Sequence, residues 1–248
     1  MGLYFCFMLQ EEAGEIRVVA TEDGSNTLYL PGMDETYHST HGAITESHHV
    51  YIANGLDFWL AEHPDAGEVR VFEMGLGTGT NALLVMDWCE RKGCSVLYYT
   101  VEKFPLLETL MGSYWGDTGY AERSEALHAA PWEEWVEIPL KRGGFKVFKH
   151  HRDIQDALIP ATLDVVFWDA FGPKKQEGVW GEGLFAPIFQ ALVAGGIFVT
   201  YSAAGDVKRA LQSVGFGVKK LDGPPYKRHM LWARSEEHTS ELQSPCNL

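Results

Sequence analysis

The sequence predicts an α/β fold: a mostly parallel, seven-stranded sheet covered by helices, ending in an antiparallel pair and preceded by a small N-terminal β extension. Three observations predict it. Short strand-like and helix-like segments alternate from residue 69 onward, the order that builds parallel sheets. Runs such as Leu163-Asp164-Val165-Val166-Phe167-Trp168 and Gly196-Ile197-Phe198-Val199-Thr200-Tyr201 are nearly continuously apolar, as strands buried on both faces are. A glycine-rich turn joins the first of these strands to a helix.

In chain order, residues 16–30 read as two short strands around the turn Glu22-Asp23-Gly24-Ser25-Asn26, and residues from about 42 to 62 as a helix ending before Pro64. Strands follow near 69–73, 96–101, 145–149, 163–168 and 196–201. Helices are expected near 79–91, 105–112, 153–159, 182–192 and 205–214. Phe216–Leu221, the turn at Gly223-Pro224-Pro225 and Met230–Ala233 form the closing antiparallel pair. The expected organisation is an extension over residues 1–40, a main domain over 41–233 and a non-native tail over 234–248. The tail begins Arg234-Ser235-Glu236-Glu237-His238-Thr239-Ser240-Glu241-Leu242-Gln243-Ser244, which looks like translated sequencing adapter, so His238 and Cys246 are expected to carry no function.

Composition narrows the function. With 46% hydrophobic and 12% aromatic residues the chain can fill a core. Cys6, Cys89, Cys94 and Cys246 show neither a C-x-x-C pair nor zinc spacing, which predicts a reducing compartment. The apolar start lacks the basic residues and length of a signal segment, and no apolar run has the ~18 residues of a membrane helix, so a soluble, cytoplasmic protein is expected. A net charge of −14 argues against broad nucleic-acid binding, though not against a local basic face. Lys141-Arg142, Lys174-Lys175, Lys208-Arg209, Lys219-Lys220 and Lys227-Arg228 are the paired cations.

The glycine turn reads Glu73-Met74-Gly75-Leu76-Gly77-Thr78-Gly79-Thr80-Asn81. Glycines let the chain turn tightly and approach a ligand, while the helix start offers N–H groups to its polar atoms. A dinucleotide fingerprint wants a third glycine where Thr80 stands. The pattern E-x-G-x-G-x-G instead resembles the cofactor loop of S-adenosylmethionine-dependent methyltransferases, and Glu73 suits a cofactor with a cationic amino-acid end. Gly75, Gly77, Thr78, Gly79 and Asn81 are the loop residues expected to meet it. Ligands of such sheets sit at the carboxyl ends of strands. The second strand ends at Glu102-Lys103, where a carboxylate can accept both ribose hydroxyls. Asp153 is placed either to meet an adenine amino group or to cap a helix. The fourth strand ends at Asp169-Ala170-Phe171-Gly172-Pro173 and the fifth at Thr200-Tyr201.

Several blocks in order resemble one family, the methyltransferase that completes the 5-methylaminomethyl group on tRNA wobble uridine. They are Thr21–Ser25 with Thr27-Leu28-Tyr29, Glu35–Ser39 with His41-Gly42-Ala43 and Glu46-Ser47, the glycine loop, and Val101–Leu106. Trp168–Gln176 with Trp180, Thr200–Gly205 with Val207-Lys208-Arg209, and Gly223-Pro224-Pro225 with Lys227-Arg228 and Met230 complete them. The likeness spans about residues 16–233. It departs at Glu177-Gly178-Val179, at Gly172 and at His229. It implies a Rossmann-like methyltransferase fold, S-adenosylmethionine as cofactor and the tRNA anticodon loop as partner. It further implies a stand-alone form without the fused flavin-dependent oxidase, supplied by separate amine-producing enzymes.

From that likeness, Asp169 is expected to bind the aminomethyl nitrogen, orient its lone pair, and take up or pass on its proton. Phe171, Trp180 and Tyr201 are expected to wall the pocket and stack on a flipped-out base. Lys174, Lys175, Lys208, Arg209, Lys227 and Arg228 are the expected phosphate contacts. His38, His41, His48 and His49 lack the spacing of a metal site, so no metal is expected. The rivals are an aminopropyltransferase of the spermidine synthase type, whose Asp-x-x-Gly-Pro-like turn Asp169–Pro173 approaches, a methyltransferase acting on a small amine, and a non-catalytic cofactor- or RNA-binding module.

Overall fold

The computed structural model describes residues 16–116 and 118–235. Strands β1 (Arg17–Ala20), β2 (Asn26–Leu30) and β3 (Glu35–Thr36) form a small antiparallel sheet, the predicted extension with one strand added. Its turn is fastened by Asp23, whose carboxylate accepts from Thr21, Ser25 and Thr45. The predicted helix over 42–62 is present in three parts: α1 (Ala43–Ser47), a π-helical stretch (His48–Asp57) and α2 (Phe58–Glu62). Gly55 lets it lie close to the sheet, since a Cβ there would sit 3.2 Å from Phe167 and 3.3 Å from Val199.

The main sheet has eight strands rather than seven. They are β4 (Glu68–Met74), β5 (Ser95–Glu102), β6 (Trp135–Glu137), β7 (Gly144–His151), β8 (Leu163–Trp168), β9 (Leu192–Thr200), β10 (Phe216–Asp222) and β11 (His229–Ser235). Their spatial order is β10-β11-β9-β8-β4-β5-β7-β6, parallel from β9 through β7 and antiparallel at both edges. The added strand β6 is a three-residue edge, too short to show alternation in sequence.

Pleating divides the core by alternate residues. Val69, Val71, Val165 and Phe167 join one cluster, whereas Phe72, Met74, Val166 and Trp168 join the other. The first face is covered by the helix over 43–62, by α3 (Thr80–Lys92) and by α4 (Glu108–Trp115) and α5 (Ala121–Ala129). The second is covered by α6 (Glu182–Ala191) and α7 (Gly205–Ser213).

Three expectations need correction. The helix expected near 153–159 is a single 3₁₀ turn, Ile154–Asp156, because the chain is extended again at Ala157. Helix α5, with only Ser124 and Leu127 buried, was not foreseen. Strand β11 runs two residues past the expected start of the tail: Arg234 pairs with Ile197 and Gly217, and Ser235 with Phe216. A ladder is made by main-chain groups and accepts any non-proline residue, so side-chain composition does not set where it stops. Residues 236–248 and Cys6 lie outside the described residues. Cys89 and Cys94 are buried free thiols, and burial pushes Cys89 up to about 12.

Along the sheet, the chain moves outward from β4 through β5 to β7, and returns on the other side through β8 to β9. The order reverses beside β4, and a ligand crevice is expected at the carboxyl ends of β4, β5 and β8.

Candidate active site

A cavity of about 530 Å³ opens at that place. Its floor is the glycine loop. Gly75, Gly77 and Gly79 have φ of 89°, 50° and 76°, the left-handed region glycine enters without a Cβ penalty. A Cβ on Gly77 would stand 3.1 Å from the Tyr37 ring, which caps the loop from the N-terminal extension. Gly79 is the residue before α3, and a Cβ there would press on Leu127 at 2.8 Å. The loop is therefore held between the extension on one side and α5 on the other. Its Thr78 carbonyl meets Trp115 Nε1 at 3.1 Å and His128 Nε2 at 3.2 Å, and burial depresses His128 to about 4.

Glu102, at the end of β5, lines this cavity and accepts from the Gly77 N–H at 3.0 Å and the Phe104 N–H at 2.7 Å. Burial raises its pKa, and these backbone donors oppose that. Lys103 donates to Asp153 at 2.7 Å on the rim, and Asp153 also caps the 3₁₀ turn by accepting from Gln155 N. The Lys103 hydrogen bond draws the Asp153 pKa down. Both alternatives stated for Asp153 are thus geometrically compatible: it caps a turn and faces the cavity.

Asp169 lies where this cavity meets a second one of about 280 Å³. Tyr37, His38 and Phe171 also line both. Asp169 Oδ2 accepts from Asn81 Nδ2 at 2.7 Å. Burial raises its pKa, while His38 and the neighbouring Tyr51 and Asn81 draw it down. The second cavity is walled by the carboxylates of Glu35, Glu46 and Asp169 and by the rings of Tyr37, Phe171 and Tyr201. Tyr201 donates its hydroxyl to the Ala170 carbonyl at 2.8 Å, which fixes the ring under the cavity.

The structure does not gather every expected residue here. Glu73 is 1% exposed and lies beneath the loop, hydrogen-bonded to Asn81 and Thr100, while Met74 and Gly75 take the cavity wall. Gly79 likewise does not line the cavity. Trp180 is core: its indole N–H donates to the Phe171 carbonyl at 2.8 Å, so it braces the loop after β8 instead of facing a ligand. Of the expected phosphate contacts, Lys227 turns inward to pair with Glu46 and sits 4.2 Å above the Tyr201 ring. Lys175 donates to the Met33 carbonyl at 2.6 Å, and Arg209 pairs with Asp206 on its own helix. Lys174 and Arg228 are exposed, and Lys208 is half-buried.

The histidines scatter: His38 meets Thr78, His41 meets Glu22, His49 meets the Asp222 carbonyl, and His48 is exposed. Among the described residues no cluster of three His, Cys, Asp or Glu could hold a metal. No described helix is long and apolar enough to cross a membrane. Tyr37, His38 and Glu46 are wall residues that strand-end reasoning misses, because they arrive from the extension and the first helix.

Comparison with known proteins agrees with this geometry. A family model described as S-adenosyl-L-methionine-dependent methyltransferase matches residues 120–236, a span that includes Asp169 but not the glycine loop. The chain is 29% identical over 239 residues to the tRNA 5-methylaminomethyl-2-thiouridine biosynthesis bifunctional protein MnmC of Actinobacillus pleuropneumoniae serotype 5b, covering 88% of this chain and 35% of that protein. It is 30% identical over 228 residues to the protein of the same name from Paraburkholderia xenovorans, covering 85% and 34%. The chain thus spans about a third of the length of these relatives. The crystal structure of MNMC2 from Aquifex aeolicus superposes with a TM-score of 0.71 at 24% identity, covering 95% of this chain and 78% of that one.

Proposed function

We propose, from the premise that this chain is an S-adenosylmethionine-dependent methyltransferase, that its acceptor is the primary amine of a 5-aminomethyl uridine at the wobble position of tRNA. The observation that carries this reading is the second cavity: carboxylates around a slot between aromatic rings, with Asp169 on the wall it shares with the first. Such a slot suits a flat base bearing a cationic arm. The names of the curated relatives support the same class of substrate.

The first cavity fits the cofactor. Its volume lies in the usual range for such ligands, a cradle of glycines leaves no room for side chains, and Glu102 offers oxygens toward ribose hydroxyls. When bound, S-adenosylmethionine supplies a methyl group already activated by its sulfonium. The protein's task is then alignment, worth about 7–11 kcal/mol when complete. Asp169 attracts the ammonium form of the arm, but only the free amine has a lone pair. The carboxylate therefore orients the amine, and its Oδ receives the proton that nitrogen sheds on gaining a fourth bond. Burial favours this by raising the Asp169 pKa. Exposed Lys174 and Arg228 are the side chains best placed to meet phosphate.

Nucleoside mass spectrometry tests the reading. The protein and S-adenosylmethionine are incubated with tRNA carrying 5-aminomethyl-2-thiouridine, beside the Asp169→Ala variant. The expected result is one added methyl with the wild type and none with the variant. Cofactor binding without methylation of this tRNA would overturn the assignment and direct attention to small amines.

A further inference from the structure

Glu73 stands two residues before the glycine loop, where a cofactor ligand is expected, yet it lies away from the cavity wall. Its contacts run elsewhere. Asn81 Nδ2 donates to Glu73 Oε1 at 2.9 Å and to Asp169 Oδ2 at 2.7 Å, so a single amide nitrogen holds both carboxylates. Thr100 Oγ1 donates to the other oxygen of Glu73 at 3.1 Å. The geometry points to Glu73 as a positioning residue for Asp169, a neutral carboxylic acid acting through Asn81 and not a ligand of the cofactor.

Electrostatics requires one of the two acids to stay neutral. Two oxygens within reach of one nitrogen are close enough that a second negative charge meets strong repulsion from the first. Glu73 is the one sealed from water, whereas Asp169 opens onto two cavities and faces His38. Burial raises Glu73 to about 8; Asp169 adds to the effect, and the hydrogen bonds from Asn81 and Thr100 oppose it. The titratable groups facing the pair are Tyr98 on the Glu73 side and His38, Glu46, Tyr51 and Tyr201 on the Asp169 side. The buried Tyr98 hydroxyl meets no hydrogen-bond partner of good geometry, although it faces Glu73. A protonated Glu73 needs an acceptor for its O–H, and the buried Tyr98 hydroxyl and Asn81 carbonyl oxygen are the unpartnered groups beside it. The carbonyl oxygen of Asn81 is likewise buried and unpartnered, the consequence of both carboxylates drawing the amide by its nitrogen.

Neutral Glu73 accepts one proton of the Asn81 amide and leaves the other for Asp169, fixing the carboxylate that meets the amine. Ionised Glu73 would compete for that amide and place a second charge beside Asp169. The inference rests on Asp169 acting in methyl transfer, so its test includes measurements that need no acceptor. Carbon-13 NMR of the protein labelled at Glu Cδ and Asp Cγ is expected to show Glu73, assigned by its loss in Glu73→Gln, titrating above pH 7. The Asp169 signal is expected to move in the same pH range, and only in the wild type. Calorimetry is expected to give S-adenosylmethionine affinities within threefold of wild type for Glu73→Gln. In turnover, Glu73→Ala is expected to lower kcat by about 10- to 100-fold, the cost of a misplacement of ~1 Å. Glu73→Gln, which mimics the neutral acid, restores most of that loss and flattens the fall of kcat above pH 8. A Glu73 titration below pH 5.5, or a tenfold weaker cofactor affinity in Glu73→Gln, would overturn the inference. Both readings stand apart from the tRNA assignment, because neither uses tRNA.

Discussion

Tyr37 meets Phe171 edge to face, with ring centroids 5.1 Å apart and planes at 73°. One ring belongs to the segment after β3 and the other to the loop after β8, so the small N-terminal sheet is tied directly to the turn that carries Asp169. Tyr37 also covers Gly77.

Removing that ring is expected to loosen both cavities. An edge-to-face pair contributes about 0.5–1.5 kcal/mol beyond buried area. Tyr37→Ala should therefore raise the dissociation constant for S-adenosylmethionine roughly 2- to 10-fold, measured by calorimetry. Tyr37→Phe, which keeps the ring, should restore the part that the ring supplies.

Gly77→Ala combines two penalties: a left-handed φ of 50° and a Cβ 3.1 Å from the Tyr37 ring. The backbone penalty alone is about 1–2 kcal/mol. The crowding should disappear in the Tyr37→Ala background, so the double variant should bind cofactor better than additivity of the two single losses allows. Strict additivity would show that Tyr37 yields without cost.

Asp169→Asn keeps the shape and removes the proposed base. The expected loss in kcat is about 10²- to 10⁴-fold, with S-adenosylmethionine affinity changed by less than a few fold. A loss confined to KM would mean that Asp169 only binds the acceptor.

Lys227 separates two kinds of cation. A phosphate contact, when lost, weakens RNA binding and reduces its salt dependence. Lys227 instead pairs with Glu46 over Tyr201 inside the second cavity. Lys227→Met should lower kcat/KM while leaving the salt slope of tRNA binding unchanged, whereas Arg228→Ala should reduce that slope by about one.

Glu73 makes folding stability depend on pH. Its folded pKa, about 8, exceeds its ordinary value of 4.5. Between these values the folded state binds more protons than the unfolded one, so stability falls as pH rises. The contribution is whole below pH 4.5 and lost by about pH 8. Asp169, also raised, acts in the same direction. Glu73→Gln should gain stability relative to wild type as pH climbs through this window, by several kcal/mol at most, in urea unfolding. A constant difference across the window would refute the shift.

The parallel sheet was legible because β8 and β9 are nearly continuous apolar runs, and the loop because glycines at alternate positions are rare without a conformational need. What escaped notice has physical reasons. Helix α5 buries only Ser124 and Leu127, leaving no apolar period. Strand β6 is a three-residue edge strand, too short for alternation to show. Lys227 reads as a surface cation until the fold brings Glu46, 181 residues away, to its side. Glu73 occupies the right position in the motif, but the direction of its side chain is set by the pleat of β4, which a motif does not encode.

The shared wall formed by Asp169, Tyr37, His38 and Phe171 also dictates an order of events. The two cavities touch across these side chains, so on the proposed reading the methyl group passes in one step between groups held on either side. Donor and acceptor must therefore be resident together. Double-reciprocal plots should intersect rather than run parallel, and the spent donor should compete with fresh donor but not with the acceptor.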